Sequence, residues 1–574
     1  MKSKRSLALL LSVAMVISML LMPAAAAETA PISAKPVFTD TAAHWAEKAI
    51  DRWSGYGIIK GDAGAFKPDA DMTRAELATV LTNLLRLSVK AENTYADLVG
   101  TEWYAGGILK CTSAGIMKGD GKNCNAMAPI SRQEATVMIA RALGVKAAET
   151  PDLSAFKDAA SVATWAVGYV SAMAKSGIIN GVGDGMLAPT TNINRASVMT
   201  ILDRAITDYI NKPGEYTITS TGLVVVTVPN VVLKNSKLND LLVAEGVGEG
   251  DFTLNSTKVA GNATVRGGGV NSFVVMGASD MGSITISKVD GAVRVSVQGD
   301  AQVRVMFIDD GKDDVFIEGK VGAVTVSTDT PVTLRGADVK TVTATGENAD
   351  ITVDRTSKVE TVASSSANTT VTVAGTVTTV AGTKEAEGMS VNVSKGGTAT
   401  NVVTAAPNTT LANDGKVGQA SFAKEATGAK IVVGKDSTME KVINENKENL
   451  TTTTADAEAA AKAEAAAKQA ADKAAADKAA ADKAAASAKT EAEKQAAAAA
   501  QKAADEAAAK AAAEAKAAAD AAAAAKAEAD KVKEETNNKT EVKPVEPPKV
   551  EGGTITVPDQ PKPPEPPVYV DPYT

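Results

Sequence analysis

A chain of 574 residues with a formal charge of −8 is long enough for several domains, and its acidity argues against nucleic acid or an anionic membrane as the main partner. Its one histidine, His44, excludes any mechanism that needs two imidazoles, and no nucleophile and orienting acid are arranged around it in sequence. Two cysteines with no local histidine cannot supply the four ligands of a zinc site.

At the start, Lys2, Lys4 and Arg5 precede an apolar run over 7–22, and Ala25, Ala26 and Ala27 offer small residues for cleavage. Residues 1–27 therefore read as a secretory signal peptide. The run is shorter than the roughly 20 residues that span a bilayer, and no other long apolar stretch follows, so no membrane insertion is expected. Removal of 1–27 takes the formal charge from −8 to −11.

Three repeats follow, at 38–90, 95–148 and 154–211. Each opens on a tryptophan (Trp45, Trp103, Trp165) and reaches an arginine (Arg74, Arg132, Arg195) after 29, 29 and 30 residues. Apolar residues at helical spacing lead to a Gly-Ile turn, a Gly-rich loop carrying Asp62, Asp120 or Asp184, and a second apolar helix. Each repeat is thus expected to be helix, loop, helix. Thr73 with Glu76, and Ser131 with Glu134, form capping boxes that start the second helices. The third copy keeps a cap residue, Asn194, and lacks the Glu.

Over 215–435 the composition shifts to Val, Thr, Gly, Asn and Asp. Short alternating runs at 240–244, 263–266, 283–287, 292–297, 302–307 and 322–327 recur about every ten residues between turn residues. Around twenty such runs exceed what a sandwich needs, so a parallel β-helix, its rungs stacking their apolar faces, is the expected fold. Residues 455–533 are almost entirely Ala, Lys, Glu, Asp and Gln. They predict one long helix, a stalk of roughly 120 Å, without the Leu or Ile of a conventional coiled coil although Ala-based pairing stays open. The tail, 542–574, is proline-rich and expected to be extended. The fold class is multidomain: a helical repeat unit, a β-solenoid, a helix and a tail.

The tandem repeats, with TRAE at 73–76, SRQE at 131–134 and their Gly-Asp loops, resemble S-layer homology domains of bacterial surface proteins. That resemblance implies one three-lobed, pseudo-threefold unit that binds secondary cell wall polysaccharide, often through a pyruvylated sugar. It also implies a location at the cell wall. The stretch 241–276 resembles segments that follow such repeats in surface proteins and implies no chemistry.

Capping explains Thr73, Ser131 and Asn194 but not the arginines. A cation in a first helical turn opposes the macrodipole, yet it recurs three times. A guanidinium beside free helix amides suits a carboxylate, so Arg74, Arg132 and Arg195 are the leading candidate ligands for an acidic sugar. Trp45, Trp103 and Trp165 are expected mainly to fill the core, with stacking on a sugar face as the other role. Asp62, Asp120 and Asp184 suit turns, or sugar hydroxyls. Cys111 aligns with Trp53 and Met173, and Cys124 with Phe66 and Leu187. A Cys111 to Cys124 disulfide is expected in place of an apolar contact; buried thiols are the alternative.

A solenoid enzyme is disfavoured because no Trp, Tyr or His occurs from Thr217 to Val568 to line a glycan cleft. Asp309, Asp310, Asp313 and Asp314 form a weak calcium candidate, more simply read as a solvated turn. No other cofactor is expected. No sortase motif is present, so retention is expected to depend on the repeats. The leading function is a wall-anchored structural protein with possible self-association into a lattice. A scaffold that displays its stalk and tail to a partner is the alternative, and a wall-anchored carbohydrate-active enzyme comes third.

Overall fold

The computed structural model describes residues 38–270, 273–309, 313–445 and 450–542. The expected signal peptide, the proline-rich tail beyond Val542, and Asp310 lie outside the described residues. The chain divides into two compact units: the described part of 1–70 with 194–200, and that of 71–193 with 201–574.

In the first unit, α1 (Glu47–Gly55) buries Ala49, Ile50 and Trp53. Phe38 and Phe66 bring their rings to 5.5 Å. His44 faces the carboxylate of Asp69 at 3.3 Å and accepts the Ala46 amide on its other nitrogen. The start of α6 (Arg195–Ala205) also lies in this unit.

The second unit holds α2 (Arg74–Leu85), α3 (Ala105–Ser113), α4 (Arg132–Ala142), α5 (Thr164–Lys175) and the rest of α6. The helix, loop, helix reading is therefore correct. At its centre Met72, Ile130 and Ile193 close a three-way exchange of backbone hydrogen bonds. The Met72 amide donates to Ile193, Ile193 to Ile130, and Ile130 to Met72, at 2.9–3.0 Å. Residues two places before the repeated arginines thus meet their own equivalents.

The expected disulfide is not formed: Cys111 and Cys124 are both buried free thiols. The Cys111 sulfur is 3.3 Å from the Ala78 carbonyl and 3.7 Å from the Thr82 hydroxyl, both on α2, so it packs against the neighbouring helix. Burial pushes its thiol up to about 12 and that of Cys124 up to about 11, which keeps both protonated.

Ile206, at the end of α6, opens a β-solenoid of about 12 turns that runs to Thr454. Every paired strand is parallel, as the alternating runs predicted. In the later turns Ile351, Val371, Val391, Leu411 and Ile431 stack in register, one inward-facing residue per turn of twenty. All five are fully buried, and β-branched residues dominate because their side chains fill a narrow pleated interior. Turns between rungs recur at the same interval. Asn348, Asn368, Gly388, Asn408 and Gly428 all have φ between 56° and 74°, a left-handed region that Asn and Gly tolerate.

Three contacts tie α2 and α4 to the first turns of the solenoid. Glu245 accepts from the Ser88 amide and hydroxyl and from the Val89 amide at 2.6–2.8 Å. The buried Tyr209 hydroxyl donates to the Leu84 carbonyl at 2.7 Å. Arg266 donates to the carbonyls of Arg141 and Ala142 at 2.7 and 2.8 Å, the end of α4 that a cation favours.

The single long stalk is corrected. The Ala-rich segment forms two helices, α7 (Ala455–Ser487) and α8 (Glu491–Asn538), packed on each other as a hairpin. At about 1.5 Å per residue they measure about 50 and 72 Å. Thr490 and Glu493 form a capping box that restarts the helix after the break, and Lys478 of α7 pairs with Asp505 of α8. The chain then returns to the solenoid, where Thr540–Glu541 pairs with Val442 and Ile443.

Candidate functional site

Thr73 and Ser131 cap α2 and α4 through complete capping boxes, and the Asn194 side chain accepts the Ser197 amide at 2.9 Å. These three side chains are engaged in starting helices, and they set the arginines at the first helical position. The helix amides beside the arginines are not free, contrary to the sequence expectation. Those of Arg74 and Ala75 donate to Ala128 and Ala126, those of Arg132 and Gln133 to Thr191 and Pro189, and those of Arg195 and Ala196 to Ala70 and Pro68. Each helix start is plugged by the loop of another repeat, so anion binding falls to the guanidinium groups.

The three arginines differ in their surroundings. Arg74 donates through Nε to the Cys124 carbonyl at 3.0 Å and through Nη1 to Glu134 at 2.8 Å. Arg195 donates through Nε to the Phe66 carbonyl at 3.0 Å, and its guanidinium lies 4.6 Å from the centre of that ring. Arg132 donates through Nη2 to the Asn180 carbonyl at 2.7 Å, while its enclosed Nε has no acceptor. Burial, with Arg204 adding like-charge repulsion, holds its guanidinium below the ordinary value. No acid pairs with Arg132 among the described residues.

A groove of about 290 Å³ opens at Arg74. It is lined by Lys118, Glu134 and Arg141 of the second repeat, the Ile116 to Gly119 turn, and Trp165 of the third. Three cations thus face one acid beside an indole. Gly119 has φ 60°, and a Cβ there would come within 2.6 Å of the Asn123 carbonyl, so this loop crossing requires glycine. The expectation that the tryptophans chiefly fill the core is not met: Trp45, Trp103 and Trp165 are 50%, 65% and 52% exposed.

Asp120 does not line this groove. Its carboxylate accepts from the amides of Asn123 and Lys122 and the side chain of Asn125, which hold it far below the usual carboxylate range. Asp62 is held down by Lys67 at 2.8 Å, and Asp184 stands at φ 51° in its turn. Asp313 accepts the Gly291 amide at 2.5 Å, as a turn residue does.

Sequence reading missed Lys118 and Arg141, and also three acids that shape the loops. Asp40 accepts the amides of Phe66 and Lys67, Asp97 those of Cys124 and Asn125, and Asp158 those of Leu187 and Ala188, at 2.7–2.8 Å. These amides lower all three carboxyl pKa values. The second partner in each pair has a positive φ of 51–59°, which costs a non-glycine residue energy that the clamp offsets. The signal was an aromatic two residues before each Asp: Phe38, Tyr95 and Phe156. Alignment on the tryptophans hid it, because Asp and Trp are separated by a different interval in each copy.

The chain carries three S-layer homology domains, matched at residues 37–78, 94–136 and 155–199. Such domains support anchoring of a surface protein to the cell wall, and a cell-surface location goes with them. Similar curated proteins include the amylopullulanase of Thermoanaerobacterium thermosulfurigenes, 31% identical over 170 residues, which are 29% of this chain and 9% of that protein. Exoglucanase XynX of Acetivibrio thermocellus is 32% identical over 170 residues, 29% of this chain and 16% of that protein. The surface-layer 125 kDa protein of Lysinibacillus sphaericus is 31% identical over 169 residues, 28% and 14%. The chain thus spans less than a fifth of each of these relatives. Among the described residues no helix is long and apolar enough to cross a membrane.

Proposed function

We propose that this chain is a structural surface protein that holds itself to the wall by binding an acidic, pyruvylated secondary polysaccharide through its repeated arginines. The observation that carries this reading is the groove at Arg74, where Arg74, Lys118 and Arg141 face a single acid, Glu134, beside the half-exposed ring of Trp165. Cations supply a carboxylate with charge-assisted hydrogen bonds, and an indole supplies the apolar face that a sugar ring needs. Arg132, with no acid beside it and an enclosed Nε, is a second guanidinium suited to a carboxylate. The exposed rings of Trp45 and Trp103 and the guanidinium of Arg195 are assigned supporting roles in polysaccharide binding, while Asp62, Asp120 and Asp184 shape their own loops.

The solenoid is read as the body of a surface layer, with lattice formation through self-association, and the chain as having no catalytic role. Two of the similar curated proteins are named as enzymes, and turnover assays on wall and plant glycans address that reading directly. Display of the tail on a long stalk loses its geometric support, because α8 runs back to the last solenoid turn.

Calorimetric titration of the full mature chain with polymer released from sacculi by acid tests the anchor. Arg74→Ala and Arg132→Ala are each expected to weaken binding about tenfold or more, the scale of a lost charge-assisted contact of about 1.5–3 kcal/mol. Wild-type affinity in the double variant would contradict the proposal.

A further inference from the structure

We propose that the wall polymer is held beyond the arginine groove, in a second cleft floored by the solenoid, so that the two bind successive units of one acidic polysaccharide chain. This inference rests on the anchoring reading above. The second cleft, of about 400 Å³, shares Lys118 and Arg141 with the first, so the two are continuous along one surface. Lys146 and Arg266 add positive charge, and among the described residues Asp309 is the one acid on its lining.

Lys118, Arg141 and Lys146 have no carboxylate partner among the described residues. Arg141 lies 5.3 Å from the ring centre of Tyr169, and Lys146 lies 4.9 Å from that of Phe307. Unpaired cations clustered against one acid raise the local concentration of a polyanion and favour its binding.

The floor is built for hydroxyl groups. Thr264 and Thr285 pair in register on adjacent turns, and Ser287 and Thr328 line the cleft beside them. The Thr328 Oγ1 is enclosed and has no hydrogen-bond partner, a cost that a ligand hydroxyl would relieve. Tyr169 offers a ring at the other wall. The cleft is also preorganised, since Arg266 fixes the end of α4 to the solenoid through the Arg141 and Ala142 carbonyls. Charge, hydroxyls and a ring in one continuous track match an acidic polysaccharide of at least two units.

The test compares two probes: acid-released wall polymer fractionated into single-unit and multi-unit fragments, each titrated into the full mature chain at physiological salt. Lys146→Gln/Thr328→Val alters only the second cleft, and Thr328→Val removes a hydroxyl that makes no bond. This variant is expected to weaken the multi-unit fragments about tenfold while binding the single unit as wild type does. Lys146→Arg should restore the multi-unit affinity. Equal affinity of variant and wild type for multi-unit fragments would overturn the second cleft, with the anchor intact if Arg74→Ala weakens both probes. Unchanged binding of both probes by Arg74→Ala/Arg132→Ala would instead overturn the anchoring reading. Absence of binding by the wild type would overturn both.

Discussion

A single carboxylate fixes each repeat's loop. Asp97 takes the amides of Cys124 and Asn125, and Asn125 holds φ 51°. Asp97→Ala leaves the buried Cys124 amide without an acceptor and should destabilise the repeats by about 1–3 kcal/mol, readable as a lower midpoint in urea. Asp40, Asp97 and Asp158 all have lowered pKa values, so the stability they contribute is complete above the ordinary carboxylate range. It is lost as pH falls through their depressed folded values. Thermal melts from pH 7 downward should therefore show the repeats weakening below about pH 4, and a flat profile would contradict the clamp. The capping boxes of the first two copies and the repeated arginines were legible because the arginines recur 29 or 30 residues after the tryptophans, with the boxes around them. The clamps were not, because a variable linker separates them from the tryptophans. The thiols make a separate prediction: neither Cys111 nor Cys124 reacts with maleimide in the folded chain, and both react in urea without reductant. A mass showing no label under those conditions would restore the disulfide.

Element by element, the solenoid was the most readable part. Alternation gave its strands, and Asn and Gly at turn positions gave its rungs, since inward residues such as Val371 and Val391 must repeat to stack. Ile351→Ala opens a void in this stack and should cost about 2–4 kcal/mol by denaturant melting. The helical hairpin was less readable. Composition reports helix propensity, and almost every residue from 455 to 533 favours helix, so the break rested on the small signal of Thr490 and Glu493. The hairpin predicts that Lys478→Cys/Asp505→Cys is bridged by a short bifunctional maleimide, whereas a continuous helix would hold those positions about 40 Å apart.

Over the whole molecule, the chain joins an anchor to a body through Glu245, Tyr209 and Arg266, which bind the ends of α2 and α4 to the first solenoid turns. Tension on the body would reach the repeats through these bonds. Composition cannot reveal such a junction, because its partners lie more than a hundred residues apart. The groove itself was half legible: the arginines stood out by recurrence, while Lys118 and Arg141 came to the site only through folding. The most direct test is co-sedimentation of the chain with sacculi, before and after acid removal of their secondary polymer. Retention on intact sacculi that disappears after stripping, and in Arg74→Ala/Arg132→Ala, is the predicted result. Retention that survives both treatments would contradict anchoring through the arginines and point to peptidoglycan as the receptor.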